Sequence, residues 1–147
     1  MNTVSNTDLA YIAGLVDSEG WLGMCRGRKN AANNWSYYPM ISIVNTCEKV
    51  LNWAAATTGV GFVTYMKQSL KNKDTWAWRS GNWADVEDLL TRLLPYMRIK
   101  KVQASTLLEV VAHRKSQKYF ATDADRQLYF TNYQLLKKLN KRGRCAA

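Results

Sequence analysis

Apolar residues change their spacing repeatedly along this chain, and each change marks an element. Leu9, Ile12 and Val16 recur at helical intervals. Asn6 or Thr7 is placed to cap that helix, Asp8 puts a carboxylate in its first turn where the dipole favours one, and Gly20 supplies the stop. From Trp21 to about Arg28 and from Tyr37 to Asn45 the pattern alternates, with Leu22 and Met24, then Ile41 and Ile43, on one face. These two strands are joined by the polar loop Lys29–Ser36. Strict alternation from Leu22 and Met24 turns Arg26 and Arg28 inward as well, so a bulge or an early strand end is needed to free them.

Helical spacing returns between Glu48 and Thr58 and ends at Gly59. The stretches 61–67 and Thr75–Arg79 read as a second hairpin around Lys71-Asn72-Lys73-Asp74. Val86, Leu89, Leu90, Leu93 and Leu94 form an amphipathic helix that Pro95 stops. Further helices are expected at Lys100–His113 and Asp123–Leu139, followed by a basic, fraying tail from Lys137. Trp76, Trp78 and Trp83 read as core between sheet and helix rather than as stacking platforms. No linker-like segment divides the chain, so residues 1–147 are read as one domain. The fold class is α+β, with one antiparallel sheet of four strands backed by helices.

Charge adds a partner to this outline. Lys and Arg number 21 against 11 Asp and Glu, a formal +10. Between Glu19 and Asp74 the one acid is Glu48, while Arg26, Arg28, Lys29, Lys49, Lys67, Lys71 and Lys73 share that stretch. Basic side chains clustered on strands neutralise phosphates and release their counterions, which points to a nucleic acid. No apolar run is long enough for a membrane span, so the expectation is an intracellular protein without a membrane partner. Cys25, Cys47 and Cys145 are widely spaced and match no zinc pattern with His113.

The candidate chemistry lies at the end of the first helix, in Ile12-Ala13-Gly14-Leu15-Val16-Asp17-Ser18-Glu19-Gly20. Ala10, Ala13, Gly14 and Asp17 fall at i, i+3, i+4 and i+7, a stripe of small or short side chains that lets a second helix approach closely. Glu19 faces the negative end of the helix dipole, which disfavours a carboxylate by ~0.3–1 kcal/mol. A bound divalent cation reverses that sign, and carboxylate oxygens suit Mg²⁺.

Position for position this stretch resembles the signature of the single-motif LAGLIDADG homing endonucleases. The element order is similar to the αββαββα order of that family, and the opening resembles its algal chloroplast members. Leu94-Pro95-Tyr96-Met97-Arg98-Ile99-Lys100-Lys101-Val102-Gln103-Ala104 is similar to the segment after the family's third helix. The likeness covers roughly residues 5–113. It implies a homodimer that cuts both strands of double-stranded DNA at a long, roughly palindromic target. Glu19, where Asp is more usual, and Ser18 fall at the Mg²⁺ site. Lys100 falls on the family's catalytic lysine, Asn45 on the polar residue that orients water, and Lys49 on a second active-site cation. The stripe Ala10, Ala13, Gly14 and Asp17 becomes the dimer interface.

In the same register the DNA-facing residues are Tyr38, Met40 and Ser42 on the second strand, Thr64, Met66 and Gln68 on the third, and Thr75 and Arg79 on the fourth. Arg26, Arg28, Lys29, Asn30, Asn33, Asn34, Trp35, Lys71 and Lys73 are further candidates, with the Asn30–Ser36 loop reaching furthest along the duplex. A two-stranded ribbon fits the major groove, where each base pair shows its own pattern of donors and acceptors. Relatives of this fold also include RNA-binding intron maturases and transcription regulators that do not cut. Glu19 together with Lys100 favours cleavage over both. An organellar or a bacterial setting fits equally well.

Overall fold

The periodic segments form the elements expected of them. The computed structural model describes residues 3–67 and 73–141. Its elements are α1 (Asn6–Glu19), β1 (Gly20–Lys29), β2 (Trp35–Asn45), α2 (Glu48–Thr58), β3 (Phe62–Met66) and β4 (Thr75–Ser80). Then follow α3 (Trp83–Leu93), a 3-10 turn at Leu94–Tyr96, α4 (Lys101–Ser116) and α5 (Asp123–Leu139). Pro95 bends the chain into that 3-10 turn and does not simply end the helix.

One antiparallel sheet carries the strands in the order β1-β2-β4-β3. Alternation then sorts the side chains. Leu22, Met24, Ile41, Ile43 and Trp78 point to the helices and are buried with Ile12, Val16, Leu51, Val86, Leu89 and Leu107. Trp76 and Trp83 pack partly buried against the same core. The Trp78 indole N–H donates to the Val60 carbonyl at 2.8 Å, which satisfies its one polar atom inside the core. Two glycines are fixed by close approach. A Cβ at Gly20 would stand 2.5 Å from the Val16 carbonyl oxygen, where α1 turns directly into β1. At Gly61, φ is +77° and a Cβ would stand 2.6 Å from the Arg79 carbonyl oxygen.

Several local expectations change. Ser5, one residue earlier than expected, caps α1 by accepting the Asp8 N–H at 3.1 Å. The first hairpin loop is tighter than its polar composition suggested. Asn30 bonds to Asn34 through both backbone and side chain, and Asn33 takes φ +62°, a left-handed conformation that Asn tolerates. Gln68 and Lys71, and with Lys71 the first half of the turn read at Lys71-Asn72-Lys73-Asp74, lie outside the described residues. The start of the basic tail is tied down, because Asn140 donates from Nδ2 to the Leu22 carbonyl at 2.7 Å and pins the end of α5 to β1.

Candidate functional site

The last turn of α1 meets the start of α4 through Asp17. Its carboxylate is buried, 7 % exposed. Oδ2 accepts the backbone N–H groups of Arg98 (2.6 Å) and Ile99 (3.2 Å), and Oδ1 accepts that of Lys100 (3.0 Å). Donors at a new helix start lack intrahelical partners, and a carboxylate is the natural acceptor for them. The same clamp brings the Lys100 side chain back onto α1. Its Nζ donates to the Asp17 carbonyl at 2.8 Å and lies 3.5 Å from the Val16 carbonyl. Burial lowers the Lys100 pKa from the ordinary lysine range, and the Asp17 carboxylate works against that shift.

Glu19 is exposed at the tip of α1. Asn45, which closes β2, donates from Nδ2 to Glu19 Oε2 at 2.5 Å, while its Oδ1 accepts the Cys47 N–H at 2.7 Å. The Cys47 bond fixes the amide, so its N–H₂ end faces the carboxylate. Asn45 bonds to Glu19 at the tip of α1, and Lys100 bonds to the backbone of the same last turn. Ser18 and Lys49 do not join them by a hydrogen bond. The Ser18 hydroxyl turns back along α1 to the Gly14 carbonyl at 2.9 Å. Lys49 is exposed in the first turn of α2 and lines a groove with Tyr11, Cys47 and Trp53.

Among the described residues no group of three or more His, Cys, Asp and Glu side chains is gathered as a metal cage. Asp17 is turned inward, its buried carboxylate committed to three backbone N–H groups. The exposed carboxylate at this terminus is that of Glu19, whose Oε1 makes no hydrogen bond among the described residues. That fits Mg²⁺, which keeps several waters and is usually held by one or two carboxylates together with substrate phosphates.

The sheet face away from the helices carries the base-reading candidates. Ser42 pairs with Arg79, Val44 with Ala77, and Thr64 with Ala77, so Tyr38, Met40, Ser42, Thr64, Met66, Thr75 and Arg79 all share it. Arg79 reaches Ser42 Oγ at 3.4 Å and Met66 Sδ at 3.6 Å. The bulge foreseen in β1 lies between Arg26 and Lys29, one step too late to release Arg26. Arg26 stays on the helix face, its guanidinium 4.7 Å from the Trp35 ring and 4.9 Å from that of Tyr133 in α5. Lys29 also sits over Trp35, at 4.9 Å. Gly27 and Arg28 lie in the bulge opposite Ser36, whose hydroxyl donates to the Arg28 carbonyl at 3.1 Å. Asn33, Asn34 and Trp35 line a groove with Asp123, Arg126 and Phe130, so the loop leans on α5. Asn30 and Lys73 are exposed.

Three solved structures share this fold. The archaeal intron-encoded homing endonuclease I-Vdi141I, complexed with DNA, superposes with a TM-score of 0.77 at 17 % identity, over 97 % of this chain and 89 % of its own. The homing endonuclease I-CvuI in complex with its target gives 0.74 at 17 % identity, over 97 % and 87 %. The homing endonuclease I-TnaI gives 0.64 at 16 % identity, over 88 % and 93 %. The chain has the LAGLIDADG homing-endonuclease fold. No protein-family model and no curated protein sequence matches it.

Within the LAGLIDADG fold the motif helix is α1, and its small-residue stripe divides. Ala10 and Gly14 are exposed, and a Cβ on Gly14 would meet nothing within 4 Å. Ala13 is fully buried in its own core, and Asp17 is committed to residues 98–100. The accessible helix surface is therefore Ala10, Tyr11, Gly14 and Ser18, narrower and shifted from the stripe read in the sequence. Sequence reasoning missed the Asp17 clamp altogether, and the only available signal was a carboxylate among apolar neighbours. No helix among the described residues is long and apolar enough to cross a membrane.

Proposed function

We propose that this protein is a homodimeric, divalent-cation-dependent endonuclease that cuts both strands of double-stranded DNA at a long, roughly palindromic site. The observation that carries this reading is the junction of Glu19, Asn45 and Lys100 at the tip of α1, beside an outward-facing sheet. The homing endonucleases that share the fold include I-Vdi141I complexed with DNA and I-CvuI with its target.

Each residue has a task suited to its place. Glu19, from each of two copies, would hold Mg²⁺, and Asn45 fixes the orientation of the carboxylate. When bound, the cation would polarise the phosphate and make water more acidic. Lys100 carries three N–H donors, and at most two are used by the Val16 and Asp17 carbonyls. One is left for a phosphate oxygen on which charge builds in the transition state. Lys49 and Ser18 make no hydrogen bond to this group, and their part in the site rests on the family resemblance alone. Cutting both strands needs two such centres, which a two-fold dimer joined through Ala10 and Gly14 supplies.

The test is incubation of the purified protein with Mg²⁺ and a randomised duplex library, followed by sequencing of cut ends. Paired breaks at one recurrent, near-palindromic sequence are expected, and none when Mg²⁺ is chelated. Binding without any cut ends in Mg²⁺ would leave a DNA-binding module in place of an enzyme.

A further inference from the structure

The outward sheet face is poor in charge. Among its described strand positions short of the β1 bulge, Arg79 is the one ionised side chain. Strand pairing places it inside a single row across all four strands, Trp21–Ser42–Arg79–Phe62. The row ends in exposed apolar groups, with Trp21 38 % and Phe62 60 % exposed, and Val44 beside it is 38 % exposed. Met40 and Met66 continue the apolar surface on either side. The Trp21 indole lies flat over Gly23, where a Cβ would stand 2.5 Å from the ring, so this surface is packed into place.

We infer that this face reads a half-site rich in thymine, in which Arg79 recognises one guanine; the inference rests on the proposed DNA endonuclease function. Two physical points support it. Strands β2 and β4 are central in the sheet, while β1 and β3 form its edges, so Arg79 faces the groove floor and the edges face the sugar–phosphate rails. A lone guanidinium framed by apolar side chains also needs a planar, two-point acceptor. Its contacts to Ser42 and Met66 are both long and use two of its five N–H donors. Guanine O6 and N7 offer that acceptor, and the C5-methyl of thymine is the apolar feature the major groove presents to Met40 and Val44 on the central strand β2.

The experiment selects bound duplexes from a randomised pool with the wild-type protein and with Arg79→Gln, and sequences both pools. Wild type should enrich thymine around one invariant guanine. Arg79→Gln should change that guanine to adenine and leave the other positions as they were, because an amide fork matches adenine N6 and N7. In the selected wild-type site, replacing that guanine should weaken binding by roughly 5- to 150-fold. Replacing thymines by uracil, which removes only the methyl groups, should weaken it as well. A wild-type pool without thymine enrichment, or an Arg79→Gln pool that keeps guanine, overturns the inference. So does a uniform, salt-dependent loss of affinity, which would make Arg79 a phosphate contact. Failure of the wild type to bind any duplex overturns the endonuclease reading instead. The composition of the wild-type pool and the uracil comparison decide the matter even if the variant does not fold.

Discussion

Replacing Asp17 tests the joint on which the candidate site is built. Its carboxylate takes three backbone N–H groups from Arg98, Ile99 and Lys100 at 2.6, 3.2 and 3.0 Å, in a pocket that leaves the residue 7 % exposed. A hydrogen bond to a charged acceptor is worth about 1.5–3 kcal/mol net. The three share one acceptor and one rigid segment, so they do not add, and the freed amides at this helix start regain some water. Asp17→Ala should therefore cost about 3–5 kcal/mol, the range seen when one partner of a buried charged contact is removed. At about 2–4 °C per kcal/mol for a domain of this size, the melting temperature should fall by ~10 °C. Asp17→Asn, which keeps one acceptor oxygen and loses the charge, should fall between wild type and alanine.

Urea unfolding measures the loss, and native-state hydrogen exchange locates it. The amides of Arg98, Ile99 and Lys100 should lose protection in Asp17→Ala well before those of β2 or α3. A destabilisation under ~1 kcal/mol, within the spread of ordinary surface substitutions, would refute the reasoning. Unchanged exchange at residues 98–100 would do the same, because it would mean that the carboxylate does not hold them.

Glu19→Gln should abolish cleavage in Mg²⁺ while DNA affinity stays within a few-fold of wild type, read by single-turnover cutting beside fluorescence anisotropy. Lys100→Met should slow single-turnover cleavage far more than it weakens binding at any salt concentration; a normal rate with only a shallower salt slope would make it a phosphate anchor. Gly14→Leu should fold as well as wild type, because the space around Gly14 within one subunit is empty and leucine is the better helix former by up to ~1 kcal/mol. Sedimentation should nonetheless find it monomeric where the wild type is a dimer. Asp125 has its pKa lowered by the Thr122 backbone N–H first, with burial opposing and His113 helping. Its contribution is full above the ordinary aspartate range and is lost as pH falls through the lowered value, so Asp125→Asn should flatten the loss of thermal stability below about pH 4.

What the sequence made legible follows from periodicity, and what it hid follows from distance. Leu9, Ile12 and Val16 repeat at helical spacing, and Leu22 and Met24, then Ile41 and Ile43, alternate, so α1 and the inner face of β1 and β2 were readable from local pattern. The register implied by the family resemblance put Tyr38, Met40 and Ser42 on one face of the second strand, and the strand pairs place them on the outer face. Alternation also warned about Arg26, and the aromatic pair Trp35 and Tyr133 shows why an inward arginine is tolerated there. Asp17 was misread because its partners lie 81 to 83 residues away. A short side chain at i+7 from Ala10 looks the same in sequence whether it faces a second helix or its own core.

The burial of Asp17 also resolves the oddity of Glu19. A carboxylate at a helix C-terminus meets the negative end of the dipole, and here two acids, Asp17 and Glu19, share the last turn of α1. Three N–H groups take up the charge of Asp17, and the Lys100 ammonium sits on the Val16 and Asp17 carbonyls, where the dipole is concentrated. The terminus is thereby partly neutralised from inside, leaving Glu19 exposed with the Asn45 amide donating to it. Lys100 consequently does two things at once: it makes an exposed acid tolerable on this helix, and it stands beside the position where that acid would hold a cation. Its replacement will perturb stability as well as chemistry. The ratio of single-turnover rate to ground-state affinity, measured on protein shown to be folded, is the quantity that separates the two roles.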